Sequence, residues 1–293
     1  MKISIVIIGY NSSDTLEYLL KSINRLNYNH RCEIIYVDDG SRDNSLNLFK
    51  NTKLKFDKKS FGFNQNRGRV YARQKAITMC LGEWICFVQS NVVLDCNLLI
   101  EYEKFLHRDN VLALGGRVCY QSKDSSFSQY LNNNNRGINK YKNGSCLDFR
   151  NLLFLNCLVK RSVFDVINFN VKFSKYGGKE LDFSYRLISK FPNSIVACKN
   201  AVVTRIQYPS YAHHCLRMIE FGKHNFKYLN HSLKCDVIKF PFLLNKFFGF
   251  YFLIMFFYFL CLRLYKLKLF KLNYLVIRCG LLMALLRGYY QSK

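Results

Sequence analysis

Alternating strand and helix signals in the first hundred residues constrain the fold of this chain more than any other feature. Ile3–Ile8 is a β-branched run of the kind found in strands buried on both faces. Asn11 or Ser12 can cap a helix that continues to about Asn24, with leucines at helical spacing. Glu33–Val37 is typical of a second strand. Repeated strand–helix units predict a doubly wound α/β sheet whose strands are mostly parallel and flanked by helices.

Further elements are predicted on the same grounds, and helices dominate after Ala212. The segment from Ser122 to Asn143 is predicted to be a loop, because polar residues dominate it. The remaining predicted elements are, in chain order, a helix from near Asp43, a short strand around Leu54, a helix over Val70–Cys80, a strand over Glu83–Val88, a strand over Leu152–Val159, a helix over Leu181–Ser189 and a strand over Ile195–Ile206.

The charge of the chain is extreme and unevenly placed. A formal net charge of +25 on 293 residues indicates anionic partners, such as nucleotides or phospholipid head groups. No acidic residue follows Asp236, so residues 237–293 are predicted to form a separate basic and aromatic segment after a large domain over residues 1–236. No nucleic-acid partner is expected, because the sequence contains no recognisable nucleic-acid-binding module.

The cysteine pattern favours a reducing compartment. The twelve cysteines are scattered without a C-x-x-C pair, and several lie in apolar runs where cysteine acts as a small hydrophobic residue. The first apolar stretch is too short for a signal peptide, because a turn follows it at once. We therefore expect a cytoplasmic protein with neither a structural zinc site nor a catalytic cysteine.

Polar side chains follow three of the predicted strands. In open parallel sheets a ligand binds outside the carboxyl ends of the strands, and here those ends carry Gly9–Asn11, Asp38–Asp39 and Gln89–Asn91. Carboxylates at such a position can accept hydrogen bonds from a base or a ribose. The alternative is an ordinary turn, since Asp, Gly and Ser are common turn residues. The first turn lacks G-x-G-x-x-G, which disfavours a dinucleotide-dependent oxidoreductase.

Taken together, these motifs resemble glycosyltransferase family 2. The resemblance covers about the first two hundred residues and rests on Ile3–Ile7 with Tyr10-Asn11, Val37–Ser41, Gly68 with Ala72-Arg73, Gly82–Ile85, Phe154–Phe164 and Tyr176–Leu187. It implies a GT-A fold that transfers a sugar, with inversion, from a nucleotide-diphospho-sugar to a hydroxyl acceptor. By this resemblance Asp39 binds the base, and Tyr10 and Arg73 line the same pocket. Asp38 supports the turn or the ribose.

The chain departs from the family at Gln89-Ser90-Asn91. The family has an Asp-x-Asp triplet there, whose carboxylates bind the ribose and a divalent cation. Ser90 and Asn91 remain candidates for donor binding, but a neutral Asn91 is a weak ligand for Mg²⁺ or Mn²⁺. A histidine that many relatives carry near the metal matches residues 204–207, which read Thr-Arg-Ile-Gln. Either basic side chains such as Arg205 replace the cation, or catalysis is lost; the first reading is favoured.

Glu180 is the predicted catalytic base. It stands where the family has the Asp of a Glu-Asp motif after a glycine pair, and an inverting transfer needs one carboxylate to take the proton of the acceptor hydroxyl. The alternative is an acid that stabilises a helix N-terminus. Asp182 is a further candidate for substrate binding, with an ion pair to Arg186, four residues on, as its alternative.

The tail indicates attachment to a membrane. Phe247–Leu262 carries no charge but is shorter than the roughly twenty residues of a spanning helix. A basic and apolar segment over residues 264–271 follows, and then a second apolar stretch, Leu272–Leu286, interrupted by Arg278. Two amphipathic helices in the anionic cytoplasmic leaflet are predicted. A transmembrane hairpin and a helical pair buried in a dimer are the alternatives.

Two functions therefore remain open. The first is a transferase that acts on a lipid-linked or cell-surface glycan acceptor, which would explain the membrane attachment. The second is a membrane-bound pseudoenzyme that keeps the nucleotide pocket for binding a nucleotide or a partner. Turnover that depends on Glu180 would separate them.

Overall fold

The computed structural model describes residues 2–267 and 273–292. The strands are β1 (Ile3–Gly9), β2 (Cys32–Asp38), β3 (Asp57–Gly62), β4 (Trp84–Gln89), β5 (Val92–Leu94), β6 (Ala113–Ser122), β7 (Asn156–Lys160) and β8 (Ile195–Tyr208). The α-helices are α1 (Ser13–Asn24), α2 (Ser45–Asn51), α3 (Arg69–Met79), α4 (Leu98–Glu103), α5 (Ser125–Leu131), α6 (Val163–Val166), α7 (Lys179–Lys190), α8 (Tyr211–Glu220), α9 (His231–Ile238), α10 (Phe248–Lys266) and α11 (Asn273–Tyr290).

Shorter helical segments complete the architecture. A π-helical segment, Phe221–Asn225, follows α8 directly. Turns of 3-10 helix span Gly137–Lys140, Phe149–Asn151, Phe226–Tyr228 and Pro241–Asn245. Residues 268–272, which belong to the predicted basic tail segment and the start of the second apolar stretch, lie outside the described residues.

One eight-stranded sheet organises the first part of the chain, in the order β3-β2-β1-β4-β7-β6-β8-β5. β3, β2, β1 and β4 pair in parallel, because each strand is joined to the next by a helical crossover. β4 with β7, β7 with β6 and β5 with β8 pair antiparallel. The doubly wound α/β architecture is confirmed, and the antiparallel strands extend it beyond β4.

The strand β1 shows why these residues form the centre of the sheet. Ile3, Ile5 and Ile7 are fully buried and belong to one core with Leu16 and Leu20 of α1, whose apolar residues recur at helical spacing. The opposite face of the sheet is covered by an aromatic cluster, which comprises Phe87, Phe154, Phe164, Phe169 and Phe183. The two buried faces fix the register of β1, since a shift by one residue would exchange them.

Two sequence-based predictions need correction here, and two strands were missed. The strand expected around Leu54 lies later, at β3, because Leu54 packs against the core from a connecting segment while a polar edge strand carries Lys58 and Lys59. The segment predicted as a loop over residues 122–143 contains α5 and a 3-10 turn. β5 and β6 were not predicted, since β5 has three residues and β6 begins with small ones.

The chain divides into two compact units. The first comprises Met1–Gln121, Asn132–Val171 and Phe183–Gln207, and the second comprises Ser122–Leu131, Lys172–Asp182 and Tyr208–Lys293. This division by contacts does not follow the predicted boundary at residue 236, which stays a prediction for where the basic segment begins.

The core of the second unit is built around α11. A Cβ added to Gly222 would lie 2.1 Å from the carbonyl oxygen of Leu285, and one added to Gly288 would lie 2.0 Å from that of Ile219. Glycine therefore lets the backbone of α11 touch α8 and the π-helical segment. One face of the second apolar stretch is thus packed inside the second unit, and its predicted place in a membrane interface stays a prediction.

The helix α10 differs from α11 in its exposure. Ile254, Tyr258 and Cys261 are its buried residues, whereas most of its phenylalanines are exposed. Within the described residues, α10 is the one helix that is long and apolar enough to cross a membrane. An exposed apolar face of this size marks an interaction surface.

Candidate functional site

Three polar strand ends meet at one edge of the sheet. Gly9 of β1 is in register with Asp38 of β2, and Ile8 is in register with Gln89 of β4. Neighbouring strands lie about 4.8 Å apart, so the ends of β2 and β4 are separated by roughly 10 Å. The structure thus brings the Asp38–Asp39 pair and the 89–91 triplet together, as the sequence predicts.

Asp39 is bound to the protein's own backbone. Its carboxylate is 2 % exposed and accepts hydrogen bonds from the backbone N–H groups of Arg67, at 2.8 Å, and Gly68, at 3.0 Å. Its own N–H donates to the carbonyl of Gly9 at 2.8 Å. Asp39 therefore holds the segment before α3 against the ends of β1 and β2, and it forms a buried negative charge at the predicted base pocket.

Asp38 organises the turn that follows β2. It accepts hydrogen bonds from the N–H of Ser41, at 2.8 Å, from its hydroxyl, at 2.6 Å, and from the hydroxyl of Tyr36, at 3.2 Å. Gly40 adopts φ +74°, and a Cβ there would lie 2.3 Å from the carbonyl carbon of Gln65. The geometry gives Asp38 the turn-supporting part of its predicted role; ribose binding stays a prediction.

The loop after β1 is joined to the loop after β2 by hydrogen bonds. The N–H of Asn11 donates to the hydroxyl of Ser41 at 2.8 Å, and the N–H of Ser13 donates to Asp43 at 2.9 Å. Partial burial acts to raise the pKa of Asp43, but hydrogen bonds from Ser45 and Ser13 outweigh it and hold that pKa below its ordinary value. Tyr10 projects from this frame with 49 % of its surface exposed.

Arg73 lies inside the aromatic cluster. Its guanidinium carbon is 5.1 Å from the ring centroids of both Phe154 and Phe169, and its Nη2 donates to the carbonyl of Phe154 at 3.4 Å. Stacking between two rings is a favourable environment for a buried guanidinium. α3 therefore holds Arg73 as a positive charge among these rings, and its contact with the donor stays a prediction.

The triplet at the end of β4 carries no charge. Ser90 is buried, Gln89 and Asn91 are half-buried, and the side-chain oxygen of Asn91 is buried without a hydrogen-bond donor among the described residues. The carbonyl of Asn91 accepts the N–H of Ile206 at 3.1 Å, and Val92 is in register with Arg205. β8 thus brings residues 204–207 beside the triplet.

The residues present do not fit a divalent cation. Mg²⁺ and Mn²⁺ are held in such sites by carboxylates, and the triplet supplies two neutral amide oxygens and a hydroxyl instead. Over residues 2–267 and 273–292, no group of three His, Cys, Asp or Glu side chains is arranged to hold a metal. The metal predicted at Asn91 therefore lacks the charged ligands that would bind it.

Glu180 belongs to the second unit, in the first turn of α7. The preceding Gly177 and Gly178 adopt φ +82° and +83°, and a Cβ on Gly178 would lie 2.8 Å from atoms of Phe173 and Phe221. A glycine pair is required here, because no other residue fits both the backbone and the space. Asp182 follows on the same turn, and its N–H donates to the carbonyl of Gly178 at 2.8 Å.

Asn225 holds the segment that leads to Glu180. Its buried side-chain amide donates to the carbonyls of Lys175, Tyr176 and Gly177 at 2.7, 3.1 and 2.9 Å. It lies at the end of the π-helical segment, a geometry that recurs at functional sites. Sequence reasoning missed Asn225, since a single asparagine in a helical region gives no signal. The convergence of Glu180 and Asp182 with Asp39 stays a prediction.

The parallel strands β1, β2 and β4 end in polar residues, two of them acids. This arrangement defines the class of α/β proteins in which ligands bind at the carboxyl ends of the parallel strands. More particularly, the chain belongs to the family described as Glycosyl transferase family 2, which it matches over residues 4–167.

Known proteins resemble parts or all of the chain. The poly-β-1,6-N-acetyl-D-glucosamine synthase of Staphylococcus epidermidis is 31 % identical over 93 residues, which cover 32 % of this chain and 22 % of that protein. The chain spans less than a third of the length of the first curated relatives it matches.

Solved structures share the fold. Residues 1–349 of S. aureus TarS, in complex with UDP-GlcNAc, give a TM-score of 0.58 at 16 % identity, and the match covers 99 % of this chain and 90 % of that one. The mannosyltransferase PcManGT from Pyrobaculum calidifontis, in complex with GDP-Man and Mn²⁺, gives 0.59 at 14 % identity, covering 77 % and 63 %. The GT-A architecture with a C-terminal helical region is confirmed.

Proposed function

We propose that the chain transfers a sugar, with inversion, from a nucleotide-diphospho-sugar to a hydroxyl of a glycan or lipid-linked acceptor. The observation that carries this proposal is the pair of buried carboxylates at the end of β2, ordered by the protein's own backbone at a ligand-binding sheet edge. The family supports the same activity. Its relatives include a synthase of poly-β-1,6-N-acetyl-D-glucosamine and structures with bound UDP-GlcNAc and GDP-Man.

The donor binds through the ends of β1 and β2. Asp39 accepts a hydrogen bond from the base, and the exposed ring of Tyr10 packs against its face. Asp38 and Ser90 bind the ribose. Arg73, held between the rings of Phe154 and Phe169, contributes positive charge to the region of the diphosphate.

Glu180 acts as the general base. Its carboxylate takes the proton from the acceptor hydroxyl while that oxygen forms a bond to the anomeric carbon of the sugar. The bond from that carbon to the diphosphate breaks on the opposite face, and the nucleotide diphosphate leaves with the electron pair. Asp182 binds the acceptor from the same turn of α7.

Arg205 supplies positive charge to the leaving diphosphate in place of a divalent cation. Paired residues on antiparallel strands have Cα atoms about 5 Å apart, so the long side chain of Arg205 can reach the triplet from its position opposite Val92. An arginine clamp on a leaving phosphate stabilises the transition state as a metal does. Asn91 retains contact with the donor through its side-chain amide.

The transfer takes place at the cytoplasmic face of the membrane. α10 carries the exposed aromatic surface, and the segment after Asp236 has no acidic residue, which suits an anionic leaflet. Attachment to the surface, and not a helical hairpin through it, fits the burial of α11 in the second unit.

A donor panel tests the enzyme. Nucleotide diphosphate release is measured with membrane extracts as acceptor, for the unaltered chain and for Glu180→Gln, with Glu17→Gln on the exposed face of α1 as the matched control. We expect Glu180→Gln to lower kcat by about 10²- to 10⁴-fold with donor affinity unchanged, because only proton transfer is lost. Unchanged turnover in Glu180→Gln would remove Glu180 from the mechanism.

The metal question has its own test. Chelation by EDTA should change kcat by less than about twofold from its value without chelator, whereas Arg205→Gln should lower kcat by about a hundredfold. Arg25→Gln, an exposed arginine at the end of α1, is the control. Activity that EDTA abolishes and Mn²⁺ restores would contradict the role of Arg205.

A second candidate function is a nucleotide-binding pseudoenzyme, and the neutral triplet favours it. It predicts that nucleotide sugars bind with the affinity of an enzyme, that Asp39→Asn weakens binding, and that no acceptor supports turnover.

A further inference from the structure

The exposed face of α10 changes from aromatic to basic along its length. Phe248, Phe252, Phe256 and Phe259 recur at intervals of four, four and three residues, and Arg263 and Lys266 continue the same spacing. Residues at this spacing lie on one face of a helix. The phenylalanines are 75, 61, 61 and 49 % exposed, and the two basic residues are exposed as well. We name this row the α10 stripe.

A cavity of about 470 Å³ lies at the basic end of the α10 stripe, and every residue that lines it belongs to the second unit. Its apolar walls come from Tyr211, Phe259, Leu262 and Tyr265, and Arg263 and Lys266 also line it. A volume of this order is typical of sites for small organic ligands. The cavity therefore combines an apolar surface with two cationic side chains.

The one carboxylate in this cavity is already engaged. Asp124 accepts hydrogen bonds from the N–H of Tyr211, at 2.9 Å, from the N–H of Phe127, at 3.2 Å, and from the hydroxyl of Tyr265. It joins α5, α8 and α10 and is thereby committed to the fold. Among the described residues no carboxylate lies within 4.0 Å of the charged groups of Arg263 or Lys266. The charge that the cavity offers to a ligand is positive.

We propose that this cavity binds the phosphate-bearing head group of an anionic bilayer phospholipid. Arg263 and Lys266 bind the phosphate, and the first part of an acyl chain lies along Phe259 and Leu262 before it enters the bilayer beside the α10 stripe. Charge complementarity selects an anionic lipid, and the adjoining phenylalanines select one that is anchored in a membrane. The site goes beyond sugar transfer, because it shares no residue with the strand ends that bind the donor.

Binding of a soluble lipid tests the site apart from the membrane surface. Short-chain phosphatidylglycerol, kept below its micelle concentration, is titrated into the full chain and followed by the chemical shifts of the protein. We expect saturable binding that short-chain phosphatidylcholine and inorganic phosphate do not reproduce. Equal binding of inorganic phosphate would indicate a free-anion site, and stronger binding of a short prenyl phosphate would assign the cavity to a lipid-linked acceptor. Either result overturns the proposal.

Two variants separate the cavity from general basicity. Arg263→Gln with Lys266→Gln should weaken phosphatidylglycerol about thirtyfold, since each basic residue near an anionic head group contributes on the order of 1 kcal/mol. The matched control, Lys223→Gln with Arg278→Gln, removes equal charge elsewhere in the second unit and should change affinity less than twofold.

Ala212→Trp should fill the cavity while keeping every charge, so it should abolish saturable binding. Ala212 is exposed on the second residue of α8, where a large side chain does not disturb the core. If Ala212→Trp binds as tightly as the unaltered chain, surface charge alone explains the lipid and the cavity is not its site. Donor turnover on a soluble acceptor should be unchanged in all three variants, which keeps this outcome distinct from a failure of the transferase.

Discussion

The ends of β2 and β4 lie at the same edge of one sheet, but the first is acidic and the second is neutral. At β2 there are two buried carboxylates, and at β4 the triplet carries the amides Gln89 and Asn91 and no carboxylate. The carboxylates of β2 accept hydrogen bonds from the protein's own turn and from the segment before α3. The side-chain oxygen of Asn91 accepts none among the residues that the structure describes.

This difference indicates how the two strand ends contribute to stability. An acid that holds the protein's own backbone contributes to folding as well as to binding, so its loss leaves buried N–H groups unpaired. An acid that binds only a ligand contributes nothing to folding. The side chain of Asn91, which accepts no hydrogen bond among the described residues, therefore contributes little to folding.

The largest effect is expected from Asp39→Ala. The N–H groups of Arg67 and Gly68 would lose a charged acceptor in a buried place, which costs about 3 kcal/mol of unfolding free energy. Urea denaturation measures it, with the exposed Asp109→Ala as the control. A loss below about 1 kcal/mol would show that Asp39 does not hold this segment. The acids of β2 would then contribute no more to folding than the triplet of β4 does.

Asp38→Asn should have a smaller effect. The amide oxygen still accepts the N–H of Ser41, but the charge that strengthens the other two hydrogen bonds is lost, at a cost of about 1.5 kcal/mol. Differential scanning calorimetry should show a lower Tm, and Asp14→Asn, on the exposed face of α1, supplies the control. An unchanged Tm would mean that Asp38, like the triplet, does not contribute to folding.

Asp43→Asn should lower the unfolding free energy by under about 1 kcal/mol, and the loss should depend on pH. The effect is small because the carboxylate is exposed and screened by solvent. Its pKa is lowered by folding, so its contribution is fully present above the ordinary pKa of about 4 and is lost as pH falls through the folded value. Unfolding free energies at about pH 7 and pH 3 should differ less in Asp43→Asn than in the unaltered chain. The same pH difference in both would contradict the assignment.

The smallest effect on stability is expected at β4. Asn91→Ser should change the unfolding free energy by less than about 0.5 kcal/mol, since the side-chain oxygen of Asn91 accepts no hydrogen bond among the described residues. A second variant, Gln89→Asp with Asn91→Asp, should acquire Mn²⁺ binding, measured by electron paramagnetic resonance, because it supplies two carboxylate ligands. Asn64→Asp with Asn110→Asp, both exposed, controls for added charge. A lower unfolding free energy without Asn91 would mean that the triplet has a structural role, and a double variant that binds no Mn²⁺ would mean that these positions do not face a cation site.

Strong local patterns made much of the fold predictable. β1 was expected over Ile3–Ile8 and spans Ile3–Gly9, and the helix expected over Val70–Cys80 spans Arg69–Met79. β3 was misplaced because an edge strand needs no apolar pattern. The close packing of α11 was not predictable either, since it depends on glycines that meet backbone atoms distant in sequence.

The candidate site was predictable where it follows strand ends. Asp38 and Asp39 lie at the sheet edge because the end of a parallel strand is fixed by its pattern. Their partners were not predictable, since Arg67 and Gly68 contribute backbone N–H groups that any residue carries. Asn225 was missed for a related reason: its amide bonds to carbonyls about fifty positions earlier in the chain.

The close packing of α11 has a practical consequence for producing this protein. A shortened chain that ended at residue 236 would lose the helix against which Gly222 is packed. The π-helical segment would then be unsupported, although its Asn225 fixes the backbone ahead of Glu180. Solubility is better sought by replacing exposed phenylalanines of α10 with polar residues, which leaves the scaffold of the proposed base intact.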